Sequence, residues 1–236
     1  MTLKLITFDL DDTLWPVKPV LLRAEQIGYD WLKTQHPEIA AQHSLDQLHA
    51  RRFALLKAEP DLQHNLTALR KKALHQLFLD AGHPHLEATQ HSEAAFSVFH
   101  AARNDVTLFP QVRDILEQLA QHYTLGSLTN GNADLNRIGL GDLFAFQHSA
   151  ESVGRRKPEP DIFNAALLSA GVQPHEVLHI GDHPHEDVQA ARDHGWHAAW
   201  ANLLGRQWPE SLQAPDYVLE HWNELPALVE RVNANT

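Results

Sequence analysis

The sequence predicts an α/β fold: a Rossmann-like, doubly wound, mainly parallel sheet with an inserted all-α domain. Three observations carry that expectation. A short apolar run, Leu5-Ile6-Thr7-Phe8, has strand composition and stops abruptly at Asp9. Residues 16–104 then keep helical spacing with no good strand. Beyond Leu108-Phe109-Pro110, short apolar runs alternate with helical patterns, the grammar of parallel strands joined by helices. The expected division is a sheet domain of residues 1–15 and 105–236, with a helical domain of residues 16–104 between them.

The first strand delivers Asp9, Asp11 and Asp12 at its C-terminal end. Side chains alternate along an extended chain, so Asp9 and Asp11 point the same way while Leu10 anchors in the core. Asp12-Thr13 can turn the chain, because both side chains bond nearby backbone. Taken alone, the Asp-x-Asp pair reads more readily as an acidic turn after an edge strand. Pro16 and Pro19 break any regular element next. Four helices are expected after them. Leu21, Leu22, Ile27 and Leu32 start the first. Ser44 and Gln47 form a capping box before Leu48, Leu55 and Leu56. Leu66, Leu69, Ala73 and Leu77 carry the third to Gly82, a C-terminal stop. The fourth runs from about Leu86 through Phe96 and Phe99.

In the alternating part, Pro110 sits in the first turn of a helix bearing Val112, Ile115, Leu116 and Leu119. Tyr123 to Thr129 is a strand ending in Asn130-Gly131, and Phe144 to Phe146 a short strand. Ile162 to Ala170 is a helix stopped by Gly171. Val177 to Ile180 is a strand ending in Gly181-Asp182, and Val188 to His194 a helix stopped by Gly195. His197 to Trp200 and Tyr217 to Leu219 are weaker strands, and Asn223 to Val232 closes the pattern as a helix. Gly139-Leu140-Gly141 follows no clear strand and lacks the third glycine of a dinucleotide fingerprint.

Composition narrows the chemistry. With 236 residues, 43% of them hydrophobic, the chain can pack one large or two modest domains. A formal charge of −11 gives no electrostatic reason to expect nucleic acid or an anionic membrane as partner. Cysteine is absent, which excludes disulfides, thiolate metal sites and cysteine nucleophiles. No apolar run approaches the roughly 20 residues of a membrane helix, and the N-terminal run is too short for a signal peptide. A cytoplasmic protein is expected. Histidine is abundant, with 18 in the chain, and His83-Pro84-His85 and His183-Pro184-His185 have the look of zinc ligands. Exposed or locally bonded histidine is the plainer reading of both.

Three strand ends carry polar groups: Asp9 with Asp11, Thr129-Asn130-Gly131, and Gly181-Asp182 with Asp187 five residues on. Lys157 lies between the last two. In a parallel sheet these ends share one edge, where ligands bind. Like charges about 4 Å apart repel by roughly 4 kcal/mol at an effective dielectric of about 20. Gathering Asp9, Asp11, Asp182 and Asp187 therefore calls for cations. Lys157 supplies one charge, and a hard divalent ion with oxygen ligands supplies more. Mg2+ suits, being commonly held by carboxylates and substrate phosphate oxygens. Acids, metal, the Thr129 hydroxyl, the Asn130 amide and Lys157 together make a phosphoryl-transfer site for a small-molecule phosphate ester.

FDLDDTLW, LGSLTNGN, GRRKPEPDIF and VLHIGDHPHEDV resemble, in order, the four motifs of the haloacid dehalogenase superfamily, in its magnesium-dependent phosphatases. The helical block stands where that family places its type-1 cap. The resemblance implies that Asp9 attacks phosphorus and forms an aspartyl-phosphate. Asp11 would protonate the leaving oxygen and then activate water, its carbonyl also ligating magnesium. Thr129, Asn130 and Lys157 would bind the phosphoryl group. Asp182 would complete the metal site with Asp9 and Asp11, and Asp187 would act through water or orient Lys157. His183 and His185 are unusual choices within the fourth motif.

PVLLRAE, TNGNA and GLGDLF are also similar to bacterial phosphatases of FMN and of the ribitylamino-uracil phosphate of riboflavin synthesis. A sugar- or nucleotide-phosphate phosphatase is the alternative within the fold, and a non-catalytic binding scaffold the alternative outside enzymes. Asp11 disfavours a dehalogenase, which needs no acid/base aspartate there. Arg23, Arg51, Arg52, Arg70, Lys71 and Lys72 are the candidates for contacts away from the phosphate, a solvated helix face being the plainer reading. Oligomeric state is not legible.

Overall fold

The computed structural model describes residues 2–234. It falls into two compact units, one taking in the chain up to Pro16 and from Thr107 on, the other Val17–Val106. The first is built on a six-stranded parallel sheet in the order β3-β2-β1-β4-β5-β6. The strands are β1 (Leu5–Phe8), β2 (Thr124–Thr129), β3 (Phe146–Ser149), β4 (Val177–Gly181), β5 (His197–Ala201) and β6 (Tyr217–Leu219). β1 lies at the centre, paired with β2 from Leu5↔Thr124 to Phe8↔Ser127 and with β4 from Leu5↔Val177 to Phe8↔Ile180. A strand covered on both faces reads as a continuous apolar run, and all four β1 residues are buried. Strand order changes direction between β1 and β4, the position where doubly wound sheets open a ligand crevice.

On one face, Leu5 and Val177 pack with Ile162, Phe163 and Ala166 of the helix Pro160–Ala170, and with Val188, Ala191 and Trp196. On the other, Phe8 stacks on Trp222 with ring centroids 5.8 Å apart. The helix Val112–Ala120 buries Val112, Ile115, Leu116 and Leu119, the one-sided stripe expected of it.

Four expectations about this unit need correction. The third strand is Phe146–Ser149, beginning where the expected one ends. Phe144 is instead buried edge-on against Phe8, and the half-buried edge strand Phe-Gln-His-Ser carries no apolar run to announce it. Pro110 stands outside its helix, because Gln111 before Val112 takes φ +67°. The segment predicted as a helix from Val188 starts inside a wide π-helical turn, Pro184–Gln189, which leads into a short α-helix, Ala190–Asp193. The closing helix is Leu225–Ala234, after a 3-10 turn at Trp222–Glu224.

The helical unit holds five α-helices among the described residues, α1 (Val17–Gln35), α2 (Pro37–Gln42), α3 (Leu45–Ala58), α4 (Leu66–Asp80) and α5 (His85–Arg103). The unexpected one, α2, spans six residues, too few to show a helical period. The Ser44–Gln47 capping box is formed in both directions. Gly82, at φ +89°, ends α4 in a conformation that suits glycine. No helix among the described residues is long and apolar enough to cross a membrane.

Every basic residue singled out in this unit faces a carboxylate. Arg51 pairs with Asp80, Lys71 with Glu93, Lys72 with Glu59 and Arg23 with Asp105. Glu25 receives both Arg52 at 2.8 Å and Arg70 at 2.7 and 3.0 Å, while the Arg70 guanidinium lies 3.4 Å from the Phe99 ring centroid. Burial opposes ionisation of Glu25, but Arg70 and Arg52 outweigh it and lower its pKa to about 2.

Because the folded carboxyl titrates below the unfolded one, the unfolded chain binds more protons between about pH 4.5 and 2. Glu25 should therefore contribute about 2–3 kcal/mol above that window and lose it as pH falls through it, after allowance for partial exposure. Urea midpoints of wild type and Glu25→Gln should differ at pH 7 and converge toward pH 3. Curves that stay parallel would show that the pair is not worth this.

Candidate active site

The site begins where β1 ends. The Asp9 N–H still bonds the Ile180 carbonyl of β4 at 2.9 Å, and Leu10 is fully buried, so the chain enters the crevice firmly held. Asp12 takes φ +59°, a conformation Asp tolerates, and its N–H bonds the Trp15 carbonyl at 2.8 Å. That is the turn expected at Asp12-Thr13. Between them, Asp11 accepts the Trp15 indole N–H at 2.9 Å. Asp9, Asp11, Asp12, Thr129, Asn130, Lys157, Asp182 and Asp187 line one cavity of about 260 Å³, with Gly131, His183, Glu186 and Arg206.

Lys157 is buried at its centre. Its ammonium donates to Asp9 Oδ1 at 2.7 Å, Asp187 Oδ1 at 2.6 Å and the Leu128 carbonyl at 2.6 Å. Three donors meet three acceptors, so the buried group is satisfied. Burial works against its charge, but Asp187 and Asp9 outweigh burial and raise its pKa above the ordinary lysine value. Asn130 clamps the same segment from the backbone: its Oδ1 accepts the Lys157 N–H at 2.7 Å, and its Nδ2 donates to the Lys157 carbonyl and to Glu186. Thr129 Oγ1 accepts the Gly131 N–H at 3.0 Å, closing the turn after β2.

Asp187 is the best-held acid. The wide turn from Pro184 presents it to Lys157, its Oδ2 accepts the His183 N–H at 2.9 Å, and its Oδ1 lies 3.2 Å from His179 Nε2. A Cβ on Gly181 would fall 2.3 Å from the Asp187 carboxyl carbon, so that approach requires glycine. Burial would raise the Asp187 pKa, yet Lys157 and His179 drive it well below the usual range. His179 is itself held neutral, mainly by burial, and its Nδ1 meets the Thr7 hydroxyl at 2.8 Å. The network assigns the imidazole proton to Nε2, toward Asp187.

Asp9 and Asp182 have fewer such partners among the described residues. Burial, and then Asp187 and Asp182, raise Asp9 well above the usual carboxyl range despite Lys157. Burial and Asp187 lift Asp182 to about 7, with Arg206 opposing. Six acids line the cavity against Lys157 and Arg206, so it is short of positive charge. Oxygen atoms of Asp9, Asp182 and Asp187 lie within 4.8 Å of one another, an all-oxygen donor set that fits a hard divalent cation. Asp187, expected from the sequence to act through water or to orient Lys157, joins that group.

Several members were not foreseen. Arg206 reaches both Asp12 and Asp182 from the loop after β5, and Glu186 binds Arg156 at 2.7 Å as well as Asn130. Arg206 belongs to none of the motifs, so only its position in space reveals it. His183 accepts the Glu186 N–H through Nδ1, capping the turn, and neither His183 nor His185 joins a metal-type cluster among the described residues.

Comparisons with known proteins agree with this geometry. A family model of haloacid dehalogenase-like hydrolases matches residues 3–195. The chain is 37% identical over 195 residues, 83% of it and 82% of the relative, to the 5-amino-6-(5-phospho-D-ribitylamino)uracil phosphatase YigB of Escherichia coli K12. It is 28% identical to the phosphoglycolate phosphatase of Aliivibrio fischeri, each covered to 96%. A solved structure described as a 2-haloacid dehalogenase from Pseudomonas syringae pv. Tomato DC3000 superposes with a TM-score of 0.92 at 40% identity, covering 98% of this chain and 99% of that one. With its parallel sheet, its crevice of acids around a buried lysine and a match over most of its length, the chain belongs to the haloacid dehalogenase-like hydrolases.

Proposed function

We propose that the protein hydrolyses a small phosphate monoester through an aspartyl-phosphate on Asp9. The observation that carries this reading is the Asp9 carboxylate held 2.7 Å from the Lys157 ammonium at the switch point of the sheet, with Asp11 two residues on and lining the same cavity. One Asp9 oxygen attacks phosphorus and the bond from phosphorus to the ester oxygen breaks. That oxygen takes a proton from Asp11 as it leaves. Water then attacks the phosphorus of the aspartyl-phosphate and gives a proton to Asp11, and the bond to Asp9 breaks, releasing inorganic phosphate and the free carboxylate. Lys157 and the Thr129 hydroxyl offset and orient the phosphoryl oxygens, and Asp187 keeps Lys157 in place.

Asp9, Asp182 and the Asp11 carbonyl would hold Mg2+, which when bound supplies positive charge beside the phosphoryl group. The same acids without it are left with raised proton affinities, which supports a cation requirement.

For the substrate, likeness to the ribitylamino-uracil phosphatase favours FMN or a ribityl phosphate of the riboflavin pathway. Phosphoglycolate and other short phosphate esters form the second reading, favoured by the full-length likeness to a phosphoglycolate phosphatase. Dehalogenation, suggested by the description of the structural neighbour, leaves Asp11 without a task.

Four outcomes test this. Asp9→Asn should abolish turnover of every ester. Rapid mixing of Asp11→Asn with p-nitrophenyl phosphate and Mg2+ should release a burst of nitrophenol and then turn over slowly, because an aryl leaving group departs without a proton but water still needs a base. Alkyl phosphates should lose about 10²–10⁴-fold. Equal losses on both ester types with no burst would remove Asp11 from these roles. Chelator-stripped enzyme should be inactive and recover with Mg2+, whereas full activity in chelator would exclude the metal. Across a panel with Mg2+ present, FMN or a ribityl phosphate should outrank phosphoglycolate, and 2-chloropropionate should release no chloride. Chloride release at a comparable rate would favour the dehalogenase.

A further inference from the structure

The two histidines of His83-Pro84-His85 part company in the fold. His85 lies beside His75, ring centroids 4.6 Å apart. His83 joins His36 and His91 instead. The three imidazole centroids are separated by 4.4 Å (His36–His91), 5.0 Å (His83–His91) and 5.6 Å (His36–His83). Two carboxylates stand beside them, with Glu38 3.7 Å from His36 Nδ1 and Glu87 3.7 Å from His83 Nδ1. Neither approach is a hydrogen bond. Ligand-type atoms of His36, Glu38 and His83 lie within 4.8 Å of one another, as do those of His83, Glu87 and His91.

Local structure explains the convergence. His36 is the residue between α1 and α2, and Glu38 sits in the first turn of α2. Gly82, at φ +89°, turns the chain after α4 and delivers His83. Glu87 and His91 are one turn apart on α5. The rings gather round the buried Phe78, whose centroid is 4.8 Å from His36, 5.2 Å from His91 and 5.6 Å from His83. His36 is buried, His83 and His91 half-buried, and Glu38 and Glu87 exposed. The cluster therefore has an apolar floor and an open, acidic mouth.

Packing against Phe78 accounts for the apolar contact of each ring. It does not account for three imidazoles brought together with two carboxylates beside them from three separate stretches of chain. Neutral imidazole is the form that ligates zinc. The two triads share His83, and their histidine nitrogens with a carboxylate oxygen suit zinc, whereas the all-oxygen acid cluster of the other unit suits magnesium.

We propose that the helical unit carries its own zinc-type site centred on His83, its other ligands drawn from the His36–Glu38 and Glu87–His91 pairs. It would tie the α1–α2 corner to the α4–α5 corner, and act as a staple rather than in the hydrolysis.

The test uses full-length, chelator-stripped protein with Mg2+ in excess to fill the acid cluster, titrated with Zn2+ against a chromophoric zinc chelator. One equivalent should bind to wild type and to Asp182→Asn. His83→Ala and His91→Ala should each weaken binding by at least about 10–100-fold, the cost typical of losing only an outer-shell partner of a metal. Zn2+ should raise the melting temperature of wild type by roughly 4–8 °C and leave both histidine variants unmoved. Zinc uptake equal in wild type and the histidine variants, or abolished by Asp182→Asn, would overturn the proposal. Should the variants fail to fold, Co2+ added to wild type decides: four-coordinate d–d bands support the site, and their absence at one equivalent overturns it.

Discussion

The ammonium of Lys157, buried between Asp9 and Asp187, is the interaction on which the rest of the sheet unit depends. A buried lysine is costly unless paired, and paired buried acids are costly without a cation. Each of the three side chains makes the others tolerable, and all must arrive together. Their sources are far apart in the chain: the end of β1, the turn after Gly154 and the π-helical turn after β4. The parallel sheet solves the assembly by carrying the ends of β1, β2 and β4 to one edge in fixed register.

Around that pairing the supporting bonds are unequal, and the inequality has consequences. Asp187 takes Lys157, His179 and a backbone N–H, so its negative charge is secured. Among the described residues, the Asp9 carboxylate pairs with the shared lysine and the Asp182 carboxylate with the half-exposed Arg206. One acid is thus fixed as a permanent partner of the lysine, and the other two are held near the cavity with charge left to satisfy. A nucleophile and a metal ligand need that condition, because a carboxylate already saturated with donors attacks nothing and coordinates poorly.

The helical unit solves a different electrostatic problem. Its basic residues, open to reading as contacts for a ligand, are each paired with an acid, and Glu25 with Arg52 and Arg70 forms a compact network near the Phe99 ring. Its histidines divide in the same way by environment. His83 and His85, one residue apart, end in separate clusters, since α5 starts at His85 and His83 lies before its cap, Pro84.

Much of this was legible before folding because it follows from local rules. The apolar run of β1, its abrupt end in acids, the 3.6-residue stripe of Val112 to Leu119, and the Ser44–Gln47 capping box depend on neighbours within a few positions. Parallel topology then obliges acids at strand ends to meet, so the gathering of Asp9, Thr129, Lys157 and Asp182 could be anticipated from order alone. Edge strand β3 and the six-residue α2 were missed or misplaced because one lacks an apolar face and the other a full period. Only tertiary structure decided that Arg206 would cover Asp12 and Asp182, that His179 would link Thr7 to Asp187, and that His36 would meet His83 and His91. Those contacts join residues whose spacing obeys no periodicity, and nothing short of the packed chain brings them within reach.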